Sequence, residues 1–381
     1  MKAFFRKKRI TAVLFILMVY GYSAANLAVG INNGEIKEAV EESVLGKYHF
    51  IEGFGALNHL LDKKEENNFE VVKDAEGVLY NTYFSNTING ELEDVVSSID
   101  NIRNVSKESG AEFMVISPPD KFLDGVSAFD KAYPYNYENE TIAAYEEKLA
   151  SRKIDLISLT EPLRNTGWKL SELFYKTDHH WTTLAGFVAF QQIVSSMETL
   201  YNVKLDPEGF YTNKENYNYI WYNQSYLGSQ GRKTGVTFSG LDDFCLIYPK
   251  FYSNLTFEIK KYSIENKGRI EDALIDTSVL NSDLSVYDKD YYGMYLHGVM
   301  YPFGKVVNRE NMNGPKVLVI RDSYSCVPMT FFSSLVSEMD LVYPLLYEEN
   351  LGNLIRKGDY DYVMVLAYPS NYTREFFDME L

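Results

Sequence analysis

Cysteine occurs only twice in the 381 residues, tryptophan three times and histidine five times. Two thiols, Cys245 and Cys326, cannot build a disulfide framework, and their spacing fits no zinc motif. Basic charge is also scarce: 37 Lys and Arg stand against 53 Asp and Glu, a formal net charge of -16. That field repels polyanions, and no basic stripe interrupts it beyond the N-terminus, so nucleic-acid binding is excluded. Internal repeats and low-complexity tracts are missing too. What remains, 46% hydrophobic and 24% charged, is globular composition. It excludes a disordered, collagenous or polytopic membrane chain.

The N-terminus is built differently. Lys2, Arg6, Lys7, Lys8 and Arg9 precede an apolar run from Ile10 to Gly30, and no charge follows until Glu35. Residues 31–381 therefore carry 32 basic against 53 acidic side chains. A basic cluster ahead of 25 uncharged residues is the layout of a signal anchor, long enough to span a bilayer with its basic end inside. Ser23-Ala24-Ala25 offers a small-residue cleavage site, so a cleaved signal peptide is the alternative. Either way the remaining chain works outside the cytoplasm. Residues 31–68, polar and rich in charge, read as a juxtamembrane spacer.

From residue 69 to 381 strand-like and helix-like runs alternate. Leu92, Val95, Val96, Ile99, Ile102 and Val105 recur at helical spacing. Phe113 to Ile116 is a short apolar strand stopped by Pro118-Pro119, and residues 141–150 and 154–159 predict another helix and strand. Thr182-Thr183 caps a helix running to Tyr201. Val317 to Ile320 and Tyr362 to Leu366 read as buried strands, the first followed by helix-like sequence from Met329 to Met339. Alternation of this kind predicts a mostly parallel sheet covered on both faces, with reactive groups on loops at the strands' carboxyl ends. Residues 202–305, rich in Tyr, Asn, Asp, Ser and Gly, read as an insertion of short strands and long loops. Its aromatics suit either half-exposed strands or sugar stacking.

Two strings carry possible chemistry. Asp178-His179-His180-Trp181 precedes the capped helix, and Arg321-Asp322-Ser323-Tyr324-Ser325 follows the strand at Val317 to Ile320. A serine hydroxyl is nearly inert at neutral pH unless a histidine, steered by a carboxylate, takes its proton. Ser323 sits where a buried strand turns towards a helix, with backbone N–H groups free to serve an oxyanion. Asp178 and His180 are spaced for one carboxylate to steer one imidazole. Each string alone is more often a turn or a hydrogen-bonded helix cap than a catalytic group, but together on strand ends of one sheet they support each other.

The DHHWT string, followed by a helix and later by strand-DSYS, resembles the DHHW family, which is similar to the SGNH-hydrolase-like domains of the alginate O-acetyltransferase group. Val72 to Tyr80 (VKDAEGVLY) and Ile116 to Lys121 (ISPPDK) are similar to further motifs of that group, in the same order over roughly residues 70–381. The resemblance implies an α/β three-layer domain and a triad of Ser323, His180 and Asp178, with no cofactor and no metal. Its Asp-His-before-Ser order is the reverse of ordinary SGNH hydrolases. Arg321 stands where the family's block carries Gly. Tyr324, Gly228 and Lys121 are candidates for substrate or oxyanion contacts, and His179 and Trp181 for shaping the loop.

The implied activity is ping-pong transfer of an acetyl group to a cell-surface or exopolysaccharide hydroxyl, or to water. The implied partners are a carbohydrate polymer and a membrane-bound O-acyltransferase that supplies the acyl group. A non-catalytic, membrane-tethered glycan-binding module on the same fold is the competing reading. DHH strings also occur in metal-dependent phosphoesterases, but His49, His59 and His297 lie in unrelated contexts and supply no obvious second ligand set.

Overall fold

The computed structural model describes residues 13–23, 46–66, 69–81, 88–128, 137–281 and 283–381. Most of the predicted anchor, residues 1–12 and 24–30, and residues 31–45 of the predicted spacer lie outside them. Residues 13–23 are helical. Among the described residues, no helix is long and apolar enough to cross a membrane.

Strands β1 (Glu65–Glu66), β2 (Val71–Lys73) and β3 (Leu79–Asn81) form a small antiparallel sheet. Among the described residues the main sheet has eight strands. In chain order they are β4 (Glu112–Ser117), β5 (Asp155–Ser158), β8 (Leu255–Ile259), β9 (Ile264–Gly268), β10 (Phe303–Asn308), β11 (Lys316–Arg321), β12 (Glu338–Val342) and β13 (Tyr362–Leu366). Across the sheet they run β5-β4-β13-β11-β12-β10-β8-β9. β6 (Tyr217–Tyr226) and β7 (Asp242–Pro249) pair separately as an antiparallel hairpin.

The first five strands of that order are parallel, and the central ones, β4, β13 and β11, read as near-continuous apolar runs, as strands buried on both faces must. Alternate residues feed two cores. Met114, Ile116, Val317, Val319, Met364 and Leu366 face one side, and Phe113, Val115, Leu318, Ile320, Val363 and Val365 the other. On the second side lie α2 (Leu92–Glu108), α3 (Glu138–Ser151) and α6 (Leu351–Gly358); on the first, α4 (Thr183–Tyr201) and α5 (Cys326–Phe332). The six apolar side chains predicted along α2 are all buried. Burying each contributes about 1.5–3 kcal/mol.

Two expectations need correction. The sheet is mixed, because β10, β8 and β9 continue it antiparallel beyond β12. The predicted helix at 329–339 stops early: α5 ends at Phe332, a 3-10 turn covers Ser333–Leu335, and β12 starts at Glu338. Pairing with β11 on one side and β10 on the other overrides the helical pattern there.

Part of the predicted spacer is also folded. Helix α1 (Lys47–Leu60) rests on residues 229–239 through Gly55, where an added Cβ would meet the Thr234 carbonyl oxygen at 2.2 Å. Beside it Glu52 accepts from the N–H of Val236, at 2.7 Å, and from the Thr237 and Tyr287 hydroxyls.

The parallel strands end in register, with Ile116, Leu366 and Arg321 in one row. The loops after β4, β13 and β11 therefore gather at one edge of the sheet. At that edge the site is built.

Candidate active site

β11 delivers Ser323. Its last residue is Arg321, and Asp322 then caps a 3-10 turn over Ser323–Ser325 by accepting from the Tyr324 N–H at 2.9 Å. Ser323 opens the turn, so the turn has no carbonyl for its N–H. The other Asp322 oxygen accepts from Tyr368 N–H at 2.5 Å and Asn371 Nδ2 at 2.8 Å, fastening the serine turn to the end of β13. Burial raises the Asp322 pKa, against those three hydrogen bonds. Neither Arg321, Asp322 nor Ser323 adopts a left-handed backbone, so the turn forms without the family's glycine.

The DHHW loop delivers the other two groups. It is closed at its base by a bridge between Phe174 and Trp181 and by Tyr175 N–H donating to His180 O at 3.2 Å. Thr182 caps α4 as predicted, accepting from Ala185 N–H at 3.1 Å. From below, the buried Asp242 accepts from the N–H groups of Lys176 and Thr177 and from the Thr177 hydroxyl, at 2.7–2.8 Å.

His180 Nε2 lies 2.7 Å from Ser323 Oγ, and His180 Nδ1 lies 3.1 Å from Asp178 Oδ1. A carboxylate opposite Nδ1 holds the proton there and leaves the Nε2 lone pair for the serine hydroxyl. The imidazole stacks on Tyr292 with 3.9 Å between centroids. Asp178 is buried, and Oδ1 also accepts from His179 N–H at 2.7 Å and Ser229 hydroxyl at 3.0 Å, while Oδ2 accepts from the Tyr226 hydroxyl. Burial works against its charge, but the two adjacent histidines outweigh it and hold the Asp178 pKa well below the usual range. Burial, then the neighbouring His179, lowers the His180 pKa against the pull of Asp178. The imidazole is therefore neutral, and able to take a proton, at pH 7.

The other predicted residues are gathered here but mostly support the triad. Lys121, proposed to touch substrate, is buried behind the loop, donating to Asp178 O at 2.7 Å and Lys176 O at 3.2 Å. Burial pushes its pKa down to about 8. Gly228 is not free for an oxyanion, since its N–H donates to Thr177 Oγ1 at 2.8 Å. It is there because a Cβ would lie 2.3 Å from that of Asp178. Tyr324 is buried, donating to His179 O at 2.6 Å and stacking on Tyr368. Trp181 is buried and donates to the Tyr292 hydroxyl at 2.9 Å, fixing the ring under His180. His179 Nδ1 faces Ser229 Oγ at 3.0 Å. Arg321 turns into the core over the Tyr301 ring and donates to Gly298 O at 3.0 Å. Sequence reasoning missed Tyr226, Ser229, Tyr292, Asp242 and Asn371, none of which sits in a motif.

Asp178, His179 and His180 also bring three possible metal-ligand atoms within 4.8 Å of one another. The set fits a metal poorly. Asp178 Oδ1 and both His180 nitrogens already have hydrogen-bond partners at 2.7–3.1 Å, so a metal would displace the contacts that align the serine.

The model of the SGNH hydrolase-like domain of the acetyltransferase AlgX matches residues 80–218, which include the DHHW string and end before Ser323. Over those residues the chain is similar to the SGNH hydrolase-like domain of AlgX. Solved structures sharing this SGNH-like fold include PatB1 of Bacillus cereus, in a form with a sulfonyl adduct. It aligns over 82% of this chain and 100% of its own at 18% identity, with a TM-score of 0.63. A DHHW family protein from Eubacterium siraeum aligns over 82% and 95% at 15% identity, with a TM-score of 0.59. At such identities the likeness is one of fold. No curated protein matches the SGNH-like chain by sequence.

Proposed function

We propose that the chain is an extracytoplasmic serine O-acyltransferase or esterase acting on O-acetyl groups of a cell-surface polysaccharide. The observation that carries this reading is the continuous line Asp178 Oδ1–His180–Ser323 Oγ, at 3.1 and 2.7 Å, at the carboxyl ends of the parallel strands. Ser323 Oγ attacks the carbonyl of an acyl donor while its proton passes to His180 Nε2, and Asp178 stabilises the imidazolium. The Ser323 N–H is offered to the developing oxyanion. His180 then protonates the leaving group, and Ser323 holds the acetyl ester. In the second half an acceptor hydroxyl gives its proton to His180 and attacks that ester. His180 returns the proton to Ser323 as the acetylated product leaves. With water as acceptor the same steps are esterase action.

A basic cluster followed by an apolar run supports a signal anchor, and a membrane-bound O-acyltransferase is the donor proposed for a chain without access to cytoplasmic acyl carriers. The test is intact-protein mass spectrometry after incubation with an activated acetyl ester. One acetyl adduct mapping to Ser323, and missing from Ser323→Ala, is expected. No adduct on a folded protein with several donors would move the reading to a glycan-binding module without turnover.

A further inference from the structure

A cavity of about 370 Å³ lies between the segments flanking the DHHW string and the β6–β7 pair. Its walls include Tyr175, Lys176, Thr182 and Thr183, the residues that bracket Asp178 and His180 in the chain. Its rim carries Trp221, 53% exposed although an indole in water is unfavourable.

The hairpin holds that rim in place at some local strain. The β6–β7 register is regular up to Tyr222 and shifts before Tyr226. Within the shift Gln224 adopts a left-handed backbone, φ 46°, which a non-glycine residue rarely does. Asp243 on β7 stabilises it, accepting from Gln224 N–H at 2.7 Å and Nε2 at 3.1 Å. Bulges of this kind re-aim side chains and cluster at functional sites. Here the bulge sets an amide and a carboxylate on the rim that Trp221 shares.

We infer that this cavity is a saccharide subsite that holds one uncharged hexopyranose unit of a glycan chain beside the catalytic loop. The inference rests on the carbohydrate reading of the site above. A pyranose presents one face of C–H groups, which packs on an indole, and a ring of hydroxyls, which need donors and acceptors around it. Trp221 supplies the first, and Gln224, Asp243, Glu172 and Lys176 the second. Three carboxylates, Glu172, Asp242 and Asp243, against one ammonium, Lys176, disfavour a uronic acid. The chain's net charge of -16 acts in the same direction.

The test is binding of three hexasaccharides, namely cellohexaose, chitohexaose and hexagalacturonate, to the full chain in detergent micelles, read by saturation-transfer NMR. No acyl donor is present, so the measurement reads the cavity and not the serine. Absence of an acetyl adduct would sink the catalytic reading without touching this one. At least one uncharged hexamer is expected to bind, hexagalacturonate to bind at least tenfold more weakly, and Trp221→Ala to lose at least tenfold in affinity with an unchanged melting temperature. Ile220→Ala removes a neighbouring exposed side chain that points to the opposite strand face, and should leave binding intact. The inference is overturned if neither uncharged hexamer binds, if Trp221→Ala binds as tightly as the parent, if Ile220→Ala loses as much, or if hexagalacturonate binds as well.

Discussion

At the scale of single residues, His180 is set by opposing influences. Burial and His179 lower its pKa below 6.5, and Asp178 raises it without prevailing. The neutral form is the competent base, so acyl-enzyme formation should rise with pH through a midpoint below 6.5 and stay flat across neutrality. Asp178→Asn removes the raising influence and the group that fixes the tautomer. Its acid limb should move lower still while kcat falls by about 10³–10⁴-fold, both read from pH profiles with a small acetyl ester. Ser323→Ala and His180→Ala should each reduce acyl transfer by about three orders of magnitude or more, with melting temperatures close to the parent's. Retained activity in both would remove the triad. Gly228→Ala tests packing instead of chemistry. Its methyl would sit 2.3 Å from Asp178 Cβ, so the Asp178 loop must shift and activity should drop although no hydrogen-bonding side chain is lost.

At the scale of elements, the DHHW loop is only as well placed as what lies behind it. Lys121, from the end of β4, donates to two of its carbonyls. Lys121→Met would leave those buried acceptors unpaired, at about 1–3 kcal/mol. A lowered melting temperature accompanied by a fall in kcat is expected; an unchanged melting temperature with raised KM would instead make it a substrate contact. Helix α1 reaches the same loop indirectly. It packs on the helix Ser229–Thr234, whose first residue donates to Asp178. Gly55→Leu forces a side chain against the Thr234 carbonyl and should cost about 1–3 kcal/mol by thermal melting while lowering activity. Phe50, Phe54, Leu57 and Leu61 stand at helical spacing, but the face they mark is not the one that docks. They stay exposed, and the docking face is Glu52, Gly55 and Asn58, so apolar periodicity points to the wrong side of this helix.

At the scale of the whole molecule, residues 202–305 do not behave as a removable appendage. The segment contains β8, β9 and the first half of β10, which extend the sheet beyond β12, and it supplies Tyr226, Ser229 and Tyr292 to the site. A chain lacking 202–305 would lose β8, β9 and half of β10, strip that side of the sheet, and should not yield a soluble, cooperatively melting protein. Circular dichroism during thermal melting checks this.

Fold class, most of the parallel strands, the helix at 92–108 and the candidate serine, histidine and aspartate were readable in the linear chain. Each depends on neighbours within a few residues: apolar periodicity, a cap, a strand stopped by a turn. Tertiary structure alone brought His180 within 2.7 Å of a serine 143 residues away and put Tyr226, Ser229 and Tyr292 around it. It also turned Gly228 and Lys121 from substrate contacts into supports of Asp178. A hydroxyl or a glycine has no signature in a linear pattern. Which group it meets depends on strand register and loop closure, and those are settled by packing across the whole sheet.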